Sequence, residues 1–333
     1  MVAQACLGTL LHLDESIAET GLEKYPLAEY AAEHWIGHSQ FEGVSGKIQD
    51  GMKRLFDPRN RHFPTWLSIY DPLRGEPRSN WLEYISQDSE KSLHYAAFCG
   101  IHDVINFLVV ERSQDANSRG LFFEDTLLGL ACSRAHFKVA QVLLELDVDK
   151  ETRCATDSSP LDHATDQGAV DVVRLLLDHG ANVNAHGKKK NTSLHWASRF
   201  GKADVVRVLL ERGADVNPRN IENSTPLHDA SGGGYVETSR VLLENSSEVD
   251  AQNSRNETPL HLASQGGYLD LSRLLLRYNA DVHALDSQGE TPFQKASKGG
   301  YEEIMRLLLE HGSGGSKDAI TVESGGVDDQ KSQ

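Results

Sequence analysis

Histidine and cysteine are the residues in this chain best suited to cutting bonds or holding metal, and their spacing argues against both uses. There are 15 histidines and 4 cysteines in 333 residues. Cys6, Cys99, Cys132 and Cys154 form no CxxC pair, and neither HExxH nor a Cys/His cluster at ligand spacing occurs. A nucleophile needs a base held beside it, yet GxSxG is missing and Cys99 and Cys132 stand in a periodic framework. Phosphate is cradled by GxxxxGK[ST]. Gly43 to Ile48 has the wrong glycine spacing and no hydroxyl after Lys47, and Gly312 to Lys317 also fails. The expectation is a non-enzymatic chain with no cofactor and no metal.

Four of the histidines recur for a different reason. His94, His195, His228 and His261 hold one place in a phrase best seen in Thr225-Pro226-Leu227-His228-Asp229-Ala230 and Thr258-Pro259-Leu260-His261-Leu262-Ala263. Looser copies begin at Lys91, Thr126, Ser159, Thr192 and Thr291. Their central residues are Leu93, Leu128, Leu161, Leu194, Leu227, Leu260 and Phe293, so one interval is 35 residues and the other five are 33. A register kept over that distance defines a repeat array. His136, His179 and His311 fall at helix junctions, where solvated polar side chains are expected.

Each unit reads as a helix pair. Thr258 can cap a helix, Pro259 suits its first turn, and His261 can reach back to the cap. The first helix ends near Gln265 at Gly266-Gly267. A second follows, with Leu269, Leu271, Leu274, Leu275 and Leu276 on its apolar face. Asn279 is placed to end it in a left-handed turn, as are Gly180, Gly213 and Gly312. Neither helix can bury its face alone, so the units must stack, each on its neighbour.

The Thr-Pro-Leu-His-x-Ala phrase, the glycine before the second helix, the Leu runs and Gly213-Ala214-Asp215-Val216-Asn217 resemble ankyrin repeats. The resemblance implies an all-α solenoid of about seven helix-turn-helix units over residues 91–312, starting near 91, 126, 159, 192, 225, 258 and 291. The end copies depart from the pattern. Thr126 opens a copy lacking proline and histidine, Lys91 replaces the cap hydroxyl, and Gln294 stands in the last histidine place. Residues 313–333 are polar and aperiodic, which predicts a disordered tail.

Residues 1–90 do not repeat, and they hold Trp35, Trp66, Trp81 and five prolines. Helical spacing is read at Val2–Leu13, Leu27–Gly37 and Val44–Phe56, followed by an irregular connector around Pro58, Pro64, Pro72 and Pro77. This segment is expected to act as an apolar cap on the first repeat. Tyr25-Pro26-Leu27-Ala28-Glu29-Tyr30-Ala31-Ala32-Glu33-His34-Trp35, Phe41-Glu42-Gly43-Val44 and Leu55-Phe56-Asp57-Pro58 resemble the junction of fungal NACHT–ankyrin signalling ATPases. That resemblance implies a sensor or regulatory fragment acting in non-self recognition.

A formal charge of −16 disfavours nucleic acid and anionic membranes as partners of the whole chain. No run is long enough to span a bilayer. The expected partner is a protein, and the chain is expected to be monomeric and cytoplasmic, with the nucleus as an alternative. The resemblance places the partner surface on loop tips and the exposed ends of first helices. Position by position this gives Lys188, Lys189, Asn191, Arg199, Phe200, Ile221, Glu222, Ser224, Ser254, Arg255, Glu257 and Gln265. Phe200 and Ile221 are apolar at places that are normally wet. Lys188, Lys189 and Lys190 form a basic strip with Arg199, Arg219 and Arg255. Three other readings are open: the lysines are ordinary solubility residues and Phe200 folds back onto its own repeat, the strip binds a polyanion, or residues 1–90 hold an unrecognised enzyme site.

Overall fold

The computed structural model describes residues 2–12, 27–39, 46–60, 62–69, 91–120 and 125–313. The expected tail beyond 313, the connector around Pro72 and Pro77, Trp81 and the Phe41 to Val44 stretch lie outside the described residues. Contacts divide the chain into two units, Met1–Asn182 and Val183–Gln333.

The first unit opens with α1 (Val2–His12), α2 (Ala28–Ser39), α3 (Gly46–Phe56) and α4 (His62–Ile69). The first three match the expected helices. The fourth corrects the irregular connector: Pro64 falls in its first turn, where the missing N–H has no intrahelical partner to lose. These helices enclose an aromatic cluster. Trp35, Phe56, Phe63 and Trp66 are buried, with neighbouring ring centroids 5.2–6.2 Å apart. Trp66 Nε1 donates to the Ala32 carbonyl at 3.0 Å.

Phe63 and Trp66 also meet Tyr95 of the first repeat edge-on, at 5.6 and 6.2 Å. Arg112 clamps the Asp57 carboxylate from Nε and Nη2, the latter at 2.6 Å, while its guanidinium lies 4.4 Å from the Phe107 ring centroid. That bond holds the Asp57 carboxyl below its ordinary range. The N-terminal helices thus cover an apolar end that the first repeat could not leave in water.

Three helix pairs complete this unit: α5 (Lys91–Phe98) with α6 (His102–Asn106), α7 (Leu127–Ser133) with α8 (Phe137–Glu145), and α9 (Pro160–Gln167) with α10 (Val170–Asp178). A π turn over Phe107–Glu111 continues α6. It makes that outer helix one residue longer than α8, within the one interval of 35.

The second unit holds four pairs: α11 (Ser193–Arg199) and α12 (Ala203–Glu211), α13 (Pro226–Gly232) and α14 (Val236–Glu244), α15 (Pro259–Gln265) and α16 (Leu269–Arg277), α17 (Pro292–Gly299) and α18 (Glu302–Ser313). Capping boxes start α9, α11, α13, α15 and α17. Leu209, Leu242 and Leu275 are fully buried one repeat apart, so one aliphatic row runs through the stack. Gly180, Gly213 and Asn279 have φ of 83°, 83° and 62°, ending their helices in the left-handed turn. Gly312 does not: α18 runs through it to Ser313. Among the described residues the only β pairings are isolated bridges, and the architecture is an all-α repeat solenoid.

Candidate protein-binding site

The recurring histidines tie each repeat of the second unit to the next. Nδ1 of His195, His228 and His261 accepts the backbone N–H of its own cap threonine at 3.1–3.2 Å. Nε2 then donates to the carbonyl of Ser224, Glu257 and Glu290 in the following loop, at 2.9–3.1 Å. An N–H on one side and a carbonyl on the other fix a single neutral tautomer. Burial pushes His195 and His228 down to about 4 and lowers His261. These side chains are structural, as their spacing implies. His136 departs from the solvated expectation: it is part-buried, bonded to the Phe98 carbonyl at 2.9 Å, and its pKa is lowered by burial.

The loops between pairs are stiffened twice over. Asn220, Asn253 and Asp286 each accept two backbone N–H groups of their own loop through Oδ1, at 2.8–3.0 Å. Successive loops are then zipped together. Ile221 N–H donates to Lys189 O at 3.1 Å, Ser254 to Glu222 O at 2.8 Å, and Ser287 to Arg255 O at 2.8 Å. The result is a rigid ribbon of backbone carrying one set of side chains per repeat.

The repeat pattern is shared with known proteins. Three copies of the ankyrin-repeat family match residues 93–187, 181–253 and 227–319, more than half of the chain. The chain belongs to the ankyrin-repeat family. It is 30% identical over 161 residues to the azaphilone pigments biosynthesis cluster protein L of Monascus ruber, which covers 44% of this chain and 34% of that protein. It is 37% identical over 105 residues to the ankyrin repeat and KH domain-containing protein mask of Drosophila melanogaster, covering 30% of this chain and 3% of that one. The chain therefore spans 34% and 3% of the length of these curated relatives. Ankyrin repeats are typically non-enzymatic modules of protein–protein interaction.

On this ankyrin scaffold Lys188, Lys189, Ile221, Glu222, Ser254, Arg255 and Gln265 are exposed, Ile221 by 58%. Three expected contact residues are corrected. Asn191 is buried and accepts from Asn220 Nδ2 at 2.9 Å. Glu257 is buried against Arg255 at 3.0 Å and against Lys295 at 3.8 Å. Ser224 is buried as a loop anchor for Asn220. All three lie just before a helix cap, where side chains turn inward to finish the loop.

The basic strip is also less basic than it reads. Arg199 pairs with Asp229, Arg219 with Glu248 and Arg255 with Glu257, at 2.8, 2.8 and 3.0 Å. Half of the strip's cations are thus matched by carboxylates of the protein itself.

Phe200 is 41% exposed, and its ring lies nearly parallel to Trp196, 9° between planes and 6.1 Å between centroids. It does fold onto its own repeat, and one face still meets solvent. Its place is taken by Gly233, Gly266 and Gly299 in the later copies, where a Cβ would approach Tyr235, Tyr268 or Tyr301 to 2.2 Å. Lys202 stands at the tyrosine position of this repeat, which leaves room for the phenyl ring.

Two participants escaped the sequence reading. Trp196 carries the stack and holds the Arg199 guanidinium 5.3 Å from its centroid. Asp229 receives Arg199 through Oδ1 only, and its Oδ2 is buried without a hydrogen bond. Burial raises its pKa to about 6 against the pull of Arg199. Trp196 and Phe200 at i and i+4 were the available signal.

Proposed function

We propose that this ankyrin-repeat protein is a non-enzymatic module that binds a protein partner through the loop ribbon and inner-helix ends of its second unit. The contact residues are Lys188, Lys189, Arg199, Phe200, Ile221, Glu222, Ser254 and Arg255, with Trp196 added. The observation that carries the reading is the Trp196–Phe200 plate with Arg199 stacked on it, at a place that is glycine in the next three repeats. Aromatic side chains and arginine on a rigid platform are the usual anchors of a protein interface. Three of the six cations of the strip are neutralised by their own carboxylates, which favours an apolar protein contact over a polyanion. The same reading has the chain monomeric and cytoplasmic, or nuclear, and in contact with neither nucleic acid nor membrane.

The test is affinity capture from lysate of the source organism at low and high salt, with wild type and a Phe200→Ala/Ile221→Ser variant as baits. A partner retained at high salt and lost from the variant supports the reading, provided the two melt within a few degrees of each other. A partner held equally by both places the interface elsewhere.

A second reading is a sensor fragment of a NACHT-type signalling ATPase. It is favoured by where its junction-like residues sit: Trp35 and Phe56 lie in the aromatic cluster and Asp57 is held by Arg112, so that stretch is built to join a repeat array. Capture of a nucleotide-binding partner would favour it.

A further inference from the structure

In the first unit three potential ligand atoms converge that the sequence keeps apart. Asp125 Oδ1 lies 3.4 Å from His163 Nε2, Cys154 Sγ lies 3.6 Å from the same nitrogen, and all three atoms lie within 4.8 Å of one another. Asp125 and Cys154 are buried, and the His163 side chain is 19% exposed. A single nitrogen can offer one proton at most, and Asp125 Oδ1 is buried without a hydrogen bond. Nε2 with one proton cannot satisfy both partners, and once the Cys154 thiol is deprotonated, lone pairs from oxygen, nitrogen and sulfur face a common point that a cation can occupy.

The spacing agrees. Zinc bonds of about 2.0–2.3 Å at tetrahedral angles put N and O ligands roughly 3.3 Å apart and N and S ligands roughly 3.6 Å apart. A catalytic relay would look different. It would use both imidazole nitrogens, one toward sulfur and one toward carboxylate, whereas here both partners meet Nε2.

The repeat register supplies an internal control. Four repeats along, the same three positions hold Glu257, Asp286 and Lys295. There the Lys295 ammonium, at the His163 position itself, sits 2.7 Å from Asp286 and 3.8 Å from Glu257, so the two flanking positions are built to face a positive charge. Cys154 replaces the Asn or Asp that closes the loop in repeats five to seven, and its sulfur turns instead toward His163.

We propose that Asp125, Cys154 and His163 form a binding site for a borderline-soft divalent cation, zinc by preference, with solvent as fourth ligand. The mixed S, N, O donor set suits zinc over magnesium or calcium. Thr156 Oγ1, 2.9 Å from Sγ, is placed to donate to the thiolate. The neighbouring Arg153 is neutralised by Asp162 at 2.9 Å, so it opposes a bound cation little.

The test uses the full chain, stripped with chelator and titrated with Co²⁺ and then Zn²⁺. One equivalent of Co²⁺ should produce a thiolate-to-cobalt charge-transfer band, which Zn²⁺ abolishes by displacement. Cys154→Ser and His163→Gln should remove the band, Asp125→Asn should weaken binding at least tenfold, and Cys99→Ser should leave it intact. Zn²⁺ should raise the melting temperature of wild type and not that of Cys154→Ser. Circular dichroism establishes that each variant is folded, and Asp125→Asn serves if Cys154→Ser is not. No band with wild type, or a band that survives in folded Cys154→Ser, overturns the assignment.

Discussion

Acid should loosen this protein through the histidines that tie its repeats together. His195 and His228 have pKa values of about 4 in the folded chain, against 6.5 for an ordinary histidine. Between these values the unfolded chain binds more protons, so stability is full above about pH 6.5 and falls as pH drops toward 4. From pH 7 to pH 5 each histidine removes roughly 2 kcal/mol, about 4 together. Asp229 acts in the opposite direction: its raised pKa of about 6 means the folded state gains a proton over the same range, restoring about 1 kcal/mol. The histidines win, with a net loss of about 2–3 kcal/mol. The control comes from the protein itself. Gln294 fills the histidine place in the last repeat, and its Oε1 accepts the Thr291 N–H at 2.7 Å. A His195→Gln/His228→Gln double variant should therefore keep its capping boxes and lose about 1 kcal/mol per missing Nε2 bond at pH 7. Between pH 7 and 5 it should lose about 4 kcal/mol less than wild type, the remaining pH dependence coming from groups such as His136, His261 and Asp229. Urea unfolding at both pH values, followed by far-ultraviolet circular dichroism, measures this. A double variant that loses as much stability as wild type over that interval would refute the assignment.

Asp229→Asn should stabilise the protein by about 1–2 kcal/mol at pH 7.5, because it removes a desolvated charge and loses one ion pair. The gain should vanish by pH 5, where Asp229 is already protonated; urea midpoints across that range would show it. Phe200→Gly should change stability by about 1 kcal/mol or less, whereas Gly233→Phe drives a side chain into Tyr235 and should lose about 2–3 kcal/mol. Thermal melts separate the two. Ser231→Ala should be neutral or stabilising by up to about 1 kcal/mol, since its fully buried hydroxyl has no hydrogen-bond partner. Destabilisation in the same melts would mean that the hydroxyl is satisfied in solution.

The repeat framework was legible because its parts are local in sequence. Thr225 and His228 are three residues apart, and the Leu rows recur at a fixed interval, so cap, break and core face could all be read along the chain. What could not be read depends on contacts across about thirty residues. Asn191 and Glu257 look like solvated loop residues, and only the turn toward Asn220 and Lys295 buries them. Arg199 reads as a free cation until Asp229, thirty residues on, takes its charge. Helix α4 was hidden by Pro64, which breaks a helix interior but not a first turn.

One position explains how such a regular scaffold can carry different chemistry from copy to copy. The residue four beyond the cap is His163, Trp196, Asp229, Leu262 and Lys295 in successive repeats. It sits on the inner helix and follows the cap histidine or its substitute in sequence, so the capping box fixes its backbone whatever its side chain. The backbone ties are met by the threonine cap and by Nδ1 and Nε2 of the histidines, none of which depends on this side chain. Its identity is therefore free to change without unpicking the stack: an imidazole facing sulfur and carboxylate, an indole under a phenyl ring, an acid under a guanidinium, or an ammonium between two acids. Fold and variable side-chain chemistry are carried by adjacent residues of the same short helix, and only the first of them is bound to repeat.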